Sequence, residues 1–328
     1  MTAYLPRDPA VVAACAALLG SLVVAGFAIV RDGRVVAAWV LTILGVFSAD
    51  RLLRHEAPGL RMVGIIAVLL TGMKVVTWSV IRRRGSRGGT ARSDLRMREW
   101  LAFAAWPGMR PADFATLGNE PRSGVHSRVL AGLKSIACGL VLVMAARAVV
   151  IVWPPAIRSA ARCFVATALL LPGLSLILHF GLFGLATALW RSRGVACENP
   201  FRRPLRSNGL AELWSRRWNV GFSEMIATVV DRPLRARVGE SAALLVSFCA
   251  SGLLHELAIT VPVGRGYGLP TLYFAVQGAF VLAERRFGPI HRLALARAWM
   301  FAGLLVPLPL CFPLPFLRGV IWPLIGLS

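Results

Sequence analysis

The sequence predicts an all-α polytopic membrane protein: about eight transmembrane helices with added interfacial amphipathic helices, forming a single membrane-embedded domain over residues 1–328. Three observations predict it. Hydrophobic residues make up 57% of the 328 positions and charged residues only 16%, against about 25% charged in a soluble domain. So few polar side chains cannot cover a soluble surface, and so apolar a chain is not disordered. Charge-poor runs of about 20 residues recur along the chain, the length that crosses a bilayer. Between them the charge is one-sided, with 37 Lys+Arg against 15 Asp+Glu and a net charge of +22.

The spans follow from those runs. They are Pro9 to Val30, Val35 to Ala49, Met62 to Ile81, Val129 to Trp153, Cys163 to Trp190, Ser241 to Val263, Gly266 to Ala283 and Ala298 to Leu317. Lys74 interrupts the third and His255–Glu256 the sixth. The eighth carries Pro307, Pro309, Pro313 and Pro315, so its far end is kinked or irregular. Alternate loops then carry 26 and 7 basic residues. The positive-inside rule puts loops 31–34, 82–128, 191–237 and 285–297 in the cytoplasm and both termini outside. The arginines lie between apolar spans, so lipid headgroups account for them better than nucleic acid. Abundant Arg, Ala and Gly suit a GC-rich bacterial genome, and hence a bacterial cell membrane. Nothing indicates a homo-oligomer.

Two cytoplasmic loops carry apolar pattern. Trp100 to Met109, with two tryptophans beside arginines, reads as interfacial. Over 207–225, a spacing of 100° per residue puts Leu210, Trp214, Trp218, Phe222 and Met225 on one face, with Arg216 and Arg217 pointing away. This predicts one amphipathic helix in the interface, N-capped by Ser207 or Asn208. Asn219 falls at the edge of its apolar face, and an amide there needs partners inside the protein.

The strongest chemical signal is His255–Glu256, two ionisable groups within an apolar span. Such groups are expensive in a bilayer and mark interior cavities. Ser251 lies four residues earlier on the same face, with Gly252 beside it. A neutral imidazole is suited to take a proton near pH 7; the competing reading is a buried structural histidine. No HExxH exists around His255, no GxSxG surrounds Ser251, and no CxxC pairs the six cysteines. Zinc, a serine nucleophile and disulfides are therefore not expected, and no cofactor or metal is required. His179, in the fifth span, reads as a packing or substrate-tunnel residue. His55, His126 and His291 read as loop surface. Lys74 and Arg147 are intramembrane cations that snorkel or pair with Glu256, Glu284 or a phosphate.

Three stretches carry a resemblance: Asn199–Pro–Phe201, Leu213–Trp–Ser–Arg–Arg–Trp–Asn219, and Phe248–Cys–Ala–Ser–Gly–Leu–Leu–His255–Glu256. Together they resemble the membrane-bound O-acyltransferases, in particular the wax synthase-like branch. Trp106–Pro–Gly–Met109 is similar to an upstream motif of that branch. The resemblance covers roughly 96–285, with Leu213 and Ser215 departing from the usual pattern.

It implies the family's helical fold and an O-acyltransferase of the acyl-CoA:long-chain alcohol type (EC 2.3.1), with a fatty alcohol or diacylglycerol as acceptor. Acyl-CoA would be the donor substrate, not a cofactor. His255 matches the family's catalytic base and Asn219 its second polar active-site residue. Trp214, Arg216, Arg217 and Trp218 match the motif around Asn219; with Ser251 and Glu256 they are the expected substrate-binding positions. A second reading is a proton-coupled transporter or lipid carrier using Lys74, His255 and Glu256 as a relay. No inverted repeat supports it.

Overall fold

The structure, a computed structural model, describes residues 2–87, 95–114, 118, 123–153, 159–288 and 293–327. The expectations placed on His291 and on the 88–94 part of the first long loop lie outside these residues. Among the described residues the fold is entirely helical. In order come α1 Pro9–Asp32, α2 Val35–Leu53, α3 Pro58–Arg87, α4 Met97–Ala104 and α5 Val125–Val152. Helix α6 Ser159–Ser175 runs through a π-turn, Leu176–Leu182, into α7 Phe183–Ser192. The short helices α8 Leu210–Glu212, α9 Val220–Ile226 and α10 Arg232–Val238 precede α11 Glu240–Ile259 and α12 Leu269–Phe287. Helix α13 Leu293–Leu305 and the fragments α14 Leu308–Cys311 and α15 Leu314–Phe316 complete the fold. The last three are broken apart at the prolines, as expected.

Among the described residues, seven stretches are long and apolar enough to cross a membrane: α1, α2, Pro58–Gly85, α5, Ala160–Ser192, α11 and Ala294–Cys311. The chain is a multi-pass integral membrane protein. The remaining expected span is the 19-residue α12. It is less apolar because it carries Gln277, Glu284, Arg285 and Arg286, and the first two are satisfied inside the protein. Gln277 is fully buried and donates its amide to the Gly303 carbonyl at 2.8 Å. Glu284 accepts from the backbone N–H groups of Leu210 and Ala211 at 2.7 and 2.8 Å and from the Trp299 indole at 2.8 Å.

The interfacial reading of 100–109 is corrected. Trp100, Phe103 and Trp106 are buried against α1 and α3. The Trp100 indole donates to the Val23 carbonyl at 2.8 Å, and Trp78 meets the Phe103 ring edge-on at 5.0 Å. Lys74 explains the placement. Its ammonium, buried on α3, donates to the carbonyls of Phe103 at 2.7 Å, Ala104 at 3.1 Å, and Trp106. A helix C-terminus leaves such carbonyls unpaired and attracts a cation. Lys74 therefore pairs with neither Glu256 nor Glu284. Arg147 stands on an exposed face of α5.

The single amphipathic helix over 207–225 is also corrected. A π-turn, Leu213–Arg217, follows α8. Trp218 is then extended, and Asn219 adopts φ 43°, ψ 54° at the start of α9. A left-handed residue ends a helix, and asparagine tolerates that conformation better than most. The break lets the chain turn back along 200–202. Arg202 N–H donates to the Arg217 carbonyl at 2.7 Å, and Val220 N–H to the Pro200 carbonyl at 2.9 Å.

Candidate active site

Helices α11 and α12 cross at Gly252. A Cβ there would lie 2.6 Å from the Thr271 Cα, so only glycine allows the approach. One turn on, Glu256 fastens the crossing. One carboxylate oxygen accepts the Thr271 backbone N–H and hydroxyl, both at 3.0 Å. The other accepts the Thr260 hydroxyl at 2.5 Å. Thr271 sits in the first turn of α12, whose unpaired N–H groups favour an anion. Both Glu256 oxygens are thus engaged by protein donors.

The crossing sets Phe274 of α12 against His255, ring centroids 4.2 Å apart. Phe222 of α9 closes the other side at 5.8 Å, nearly perpendicular. Behind Phe274 lies Trp214, 5.7 Å away. Its indole donates to the Gln277 side-chain oxygen at 3.1 Å, and its ring meets Phe248 edge-on at 6.2 Å. His255 stands in this aromatic box, half-buried.

His255 Nδ1 lies 2.6 Å from the Ser251 carbonyl oxygen. A carbonyl oxygen only accepts, so Nδ1 carries the proton and Nε2 keeps its lone pair. The Ser251 hydroxyl donates to the Ser247 carbonyl at 3.0 Å. Ser251 thus meets His255 through its backbone, and its hydroxyl lies in its own helix.

Asn219 is braced from both flanks. Its carbonyl accepts from Phe222 N–H at 2.9 Å and Ser223 N–H at 3.0 Å. The Ser223 hydroxyl donates to the Trp214 carbonyl at 2.7 Å, tying the bend to the His255 box. On the other flank Trp218 meets Phe201 edge-on at 5.0 Å, and Phe201 stacks on His179 at 4.4 Å. Among the described contacts no hydrogen bond joins Asn219 to His255. The structure thus gathers Trp214, Ser251, Glu256 and His255 around one box, with Trp218 and Asn219 at its border.

Arg216 is exposed. Arg217 is half-buried and pairs with Glu212, Nε to oxygen 2.7 Å. Although burial opposes ionisation, the Asn208 N–H and the Arg217 guanidinium hold the Glu212 carboxyl below its ordinary range.

Val220 and Gly221, just past Asn219, also line a polar cleft with Trp106, Arg110, Asp113 and Arg202. Arg110 grips Glu224 there through Nε at 2.9 Å and through its terminal nitrogen. Burial pushes the Asp113 carboxyl up to about 6, with Arg110 pulling the other way.

Sequence reasoning missed Phe274 and Thr271 as parts of the site, while Phe222 stood out on an apolar face and Phe201 in a family-like stretch without either being tied to a histidine. Only their presence in an apolar stretch marked Phe274 and Thr271, which does not distinguish them from ordinary core. Lys74 and Glu256, expected as relay members, are bound at separate places, Lys74 on α4 and Glu256 on α12.

Residues 197–276 match the membrane bound O-acyl transferase family. Over 72 residues the chain is 32% identical to a long-chain-alcohol O-fatty-acyltransferase of Simmondsia chinensis. That match covers 20% of this chain and 20% of the relative. The segment holding Asn219, His255 and their aromatic box is therefore the part in which the chain is similar to membrane bound O-acyl transferases, and the chain spans about a fifth of the length of the relative it matches.

Proposed function

We propose that this chain is an O-acyltransferase that moves a fatty acyl group from acyl-CoA to the hydroxyl of a lipophilic alcohol, a fatty alcohol or diacylglycerol. One observation carries the reading: in the family-matched segment, His255 is pinned by its Nδ1–H to the Ser251 carbonyl, leaving Nε2 as a base inside an aromatic box.

Acyl transfer from a thioester to an alcohol needs a base, stabilisation of the carbonyl oxygen and exclusion of water. Nε2 of His255 accepts the alcohol proton as the oxygen attacks the thioester carbon. The C–S bond then breaks, and the thiolate regains that proton from the imidazolium as CoA thiol leaves. A thioester is already activated, so no acyl-enzyme is required. The Ser251 hydroxyl, committed to Ser247, is not set up as a nucleophile. The box of Phe222, Phe274 and Trp214 keeps water from the thioester. Asn219, at the bend between box and cleft, presents its amide to the substrate pair. The exposed Arg203, Arg206 and Arg216 suit the phosphates of CoA, and the alcohol enters from the lipid. The transporter reading lacks its relay, since Lys74 and Glu256 are each held by other partners.

The test is direct. Purified protein in detergent is incubated with labelled palmitoyl-CoA and a panel of lipophilic alcohols, and products are identified by mass spectrometry. Ester formed by the wild type and not by His255→Ala supports the reading. No ester with any alcohol rejects it.

A further inference from the structure

A second imidazole stands on the far flank of Asn219. His179 lies in the π-turn Leu176–Leu182, a helix irregularity frequent at functional sites. Its ring stacks on Phe201 at 4.4 Å and meets Trp218 at 5.6 Å. Phe201 and Trp218 sit on the two segments joined by the Arg202–Arg217 and Pro200–Val220 backbone bonds. His179 is therefore fastened to the same bend that presents Asn219.

The depth also agrees. His179 is about 20 Å along the helix from Ser192, and His255 about 22 Å from Glu240, at ~1.5 Å per residue. Both distances run from the ends that residues 193–239 connect, so the two imidazoles stand at similar depth.

The Ser175 hydroxyl lies 3.0 Å from His179 Nδ1. The hydroxyls of Thr167, Thr187, Ser247 and Ser251 each donate to the carbonyl four residues back. Ser175 makes no such bond among the described residues and has Nδ1 to donate to. A Ser175 hydroxyl that donates to Nδ1 places the ring proton on Nε2, the reverse of His255. In that tautomer His179 offers an Nε2–H where His255 offers an Nε2 lone pair.

We propose that His179 donates its Nε2–H to the thioester carbonyl oxygen of acyl-CoA while His255 takes the alcohol proton, an assignment that rests on the acyltransferase reading. As the alcohol oxygen bonds to the carbonyl carbon, negative charge grows on the carbonyl oxygen and His179 stabilises it without giving up its proton. The charge collapses as the C–S bond breaks, and the proton held by His255 passes to the leaving thiolate. A preformed donor aimed at the developing oxyanion is typically worth about 10²–10³ in rate.

The experiment is isotope-edited infrared spectroscopy of [1-¹³C]palmitoyl-CoA bound to the full-length protein in detergent without alcohol, paired with steady-state transfer to hexadecanol. The wild type should shift the thioester carbonyl band to lower frequency than in free palmitoyl-CoA. His179→Phe, which keeps an aromatic ring against Phe201, should return the band toward the free value. It should lower kcat about 10²–10³ with KM for both substrates within about twofold. Ser175→Ala should move the band part of the way. His179→Gln, which retains an N–H donor, should recover part of kcat, and it reads the same band if the Phe variant does not fold. A wild type that makes ester, with band and kcat unmoved in His179→Phe and His179→Gln, overturns this assignment alone. A wild type that neither binds palmitoyl-CoA nor makes ester removes the acyltransferase reading and this one with it.

Discussion

His255 donates its Nδ1–H to the Ser251 carbonyl at 2.6 Å, a contact between backbone and ring one helical turn apart. It separates two properties of Ser251 that sequence alone merges. The carbonyl orients the imidazole, and the hydroxyl, turned to Ser247, does not. His255→Ala and His255→Gln should therefore fold and lose about 10²–10⁴ of the transfer rate, the range of general-base catalysis. Ser251→Ala should keep most activity because the carbonyl remains. Initial rates with labelled palmitoyl-CoA and hexadecanol decide it; an inactive Ser251→Ala with labelled acyl chain trapped on the wild-type serine would point to a covalent route instead.

Asn219 combines a left-handed backbone with a side-chain amide, so its substitutions must be chosen to part the two. Asn219→Gly keeps the bend, since glycine accepts positive φ without strain. It should melt near the wild-type temperature and still lose about 10²–10³ in rate if the amide serves the transition state. Asn219→Ala adds backbone strain and should also melt lower. Equal activity of Asn219→Gly and wild type would leave the residue a purely conformational role.

Glu256 ties α11 to the first turn of α12, and its loss strands the Thr271 donors. Glu256→Ala should cost about 1–3 kcal/mol of stability, the usual penalty for a buried group left without its partner. Activity should fall with it because Phe274 is no longer held on His255. Thermal unfolding in detergent, followed by tryptophan fluorescence, measures the first effect. A melting temperature equal to the wild type would show the tether to be dispensable.

Asp113 supplies a pH signature. Burial raises its folded-state value to about 6, above the ordinary carboxylate value near 3.9. Between pH 4 and 6 the folded protein therefore holds more protons than the unfolded chain, and stability falls as pH rises through that window. Asp113→Asn has no charge to bury. Its melting temperature should exceed the wild-type value at pH 7, and the difference should shrink towards pH 4.5. A difference independent of pH would contradict the assignment.

The topology rests on the 26-to-7 division of basic residues. A cysteine replacing the exposed Asn208 should react with an impermeant thiol reagent in inside-out vesicles only. One replacing the exposed His55 should react only from the opposite face. Labelling of both from one side would remove the alternation of loops on which eight crossings depend.

Much of this protein was legible in its amino-acid order. Seven of the eight expected spans reappear as helices long and apolar enough to cross a membrane, because bilayer crossing depends on the length and apolarity of one continuous segment. The proline-broken end was legible for the same local reason, as was the shared face of Ser251 and His255. Partners were not. Lys74 was visible as a cation within a span, but the acceptor carbonyls come from α4, about thirty residues further along. Trp100 and Trp106 beside arginines fit an interface or a core equally well, and packing against Trp78 and Val23 chose the core. The 3.6-residue period cannot report a single left-handed residue, so the bend at Asn219 was invisible although its residues were all noticed. The sequence by itself determined a polytopic helical membrane protein with a histidine set one turn from Ser251. Only the tertiary structure decided that Glu256 is a tether and that His179 shares the bend with Asn219. Those outcomes depend on which helix arrives opposite each polar group, and no pattern within one segment encodes its distant neighbour.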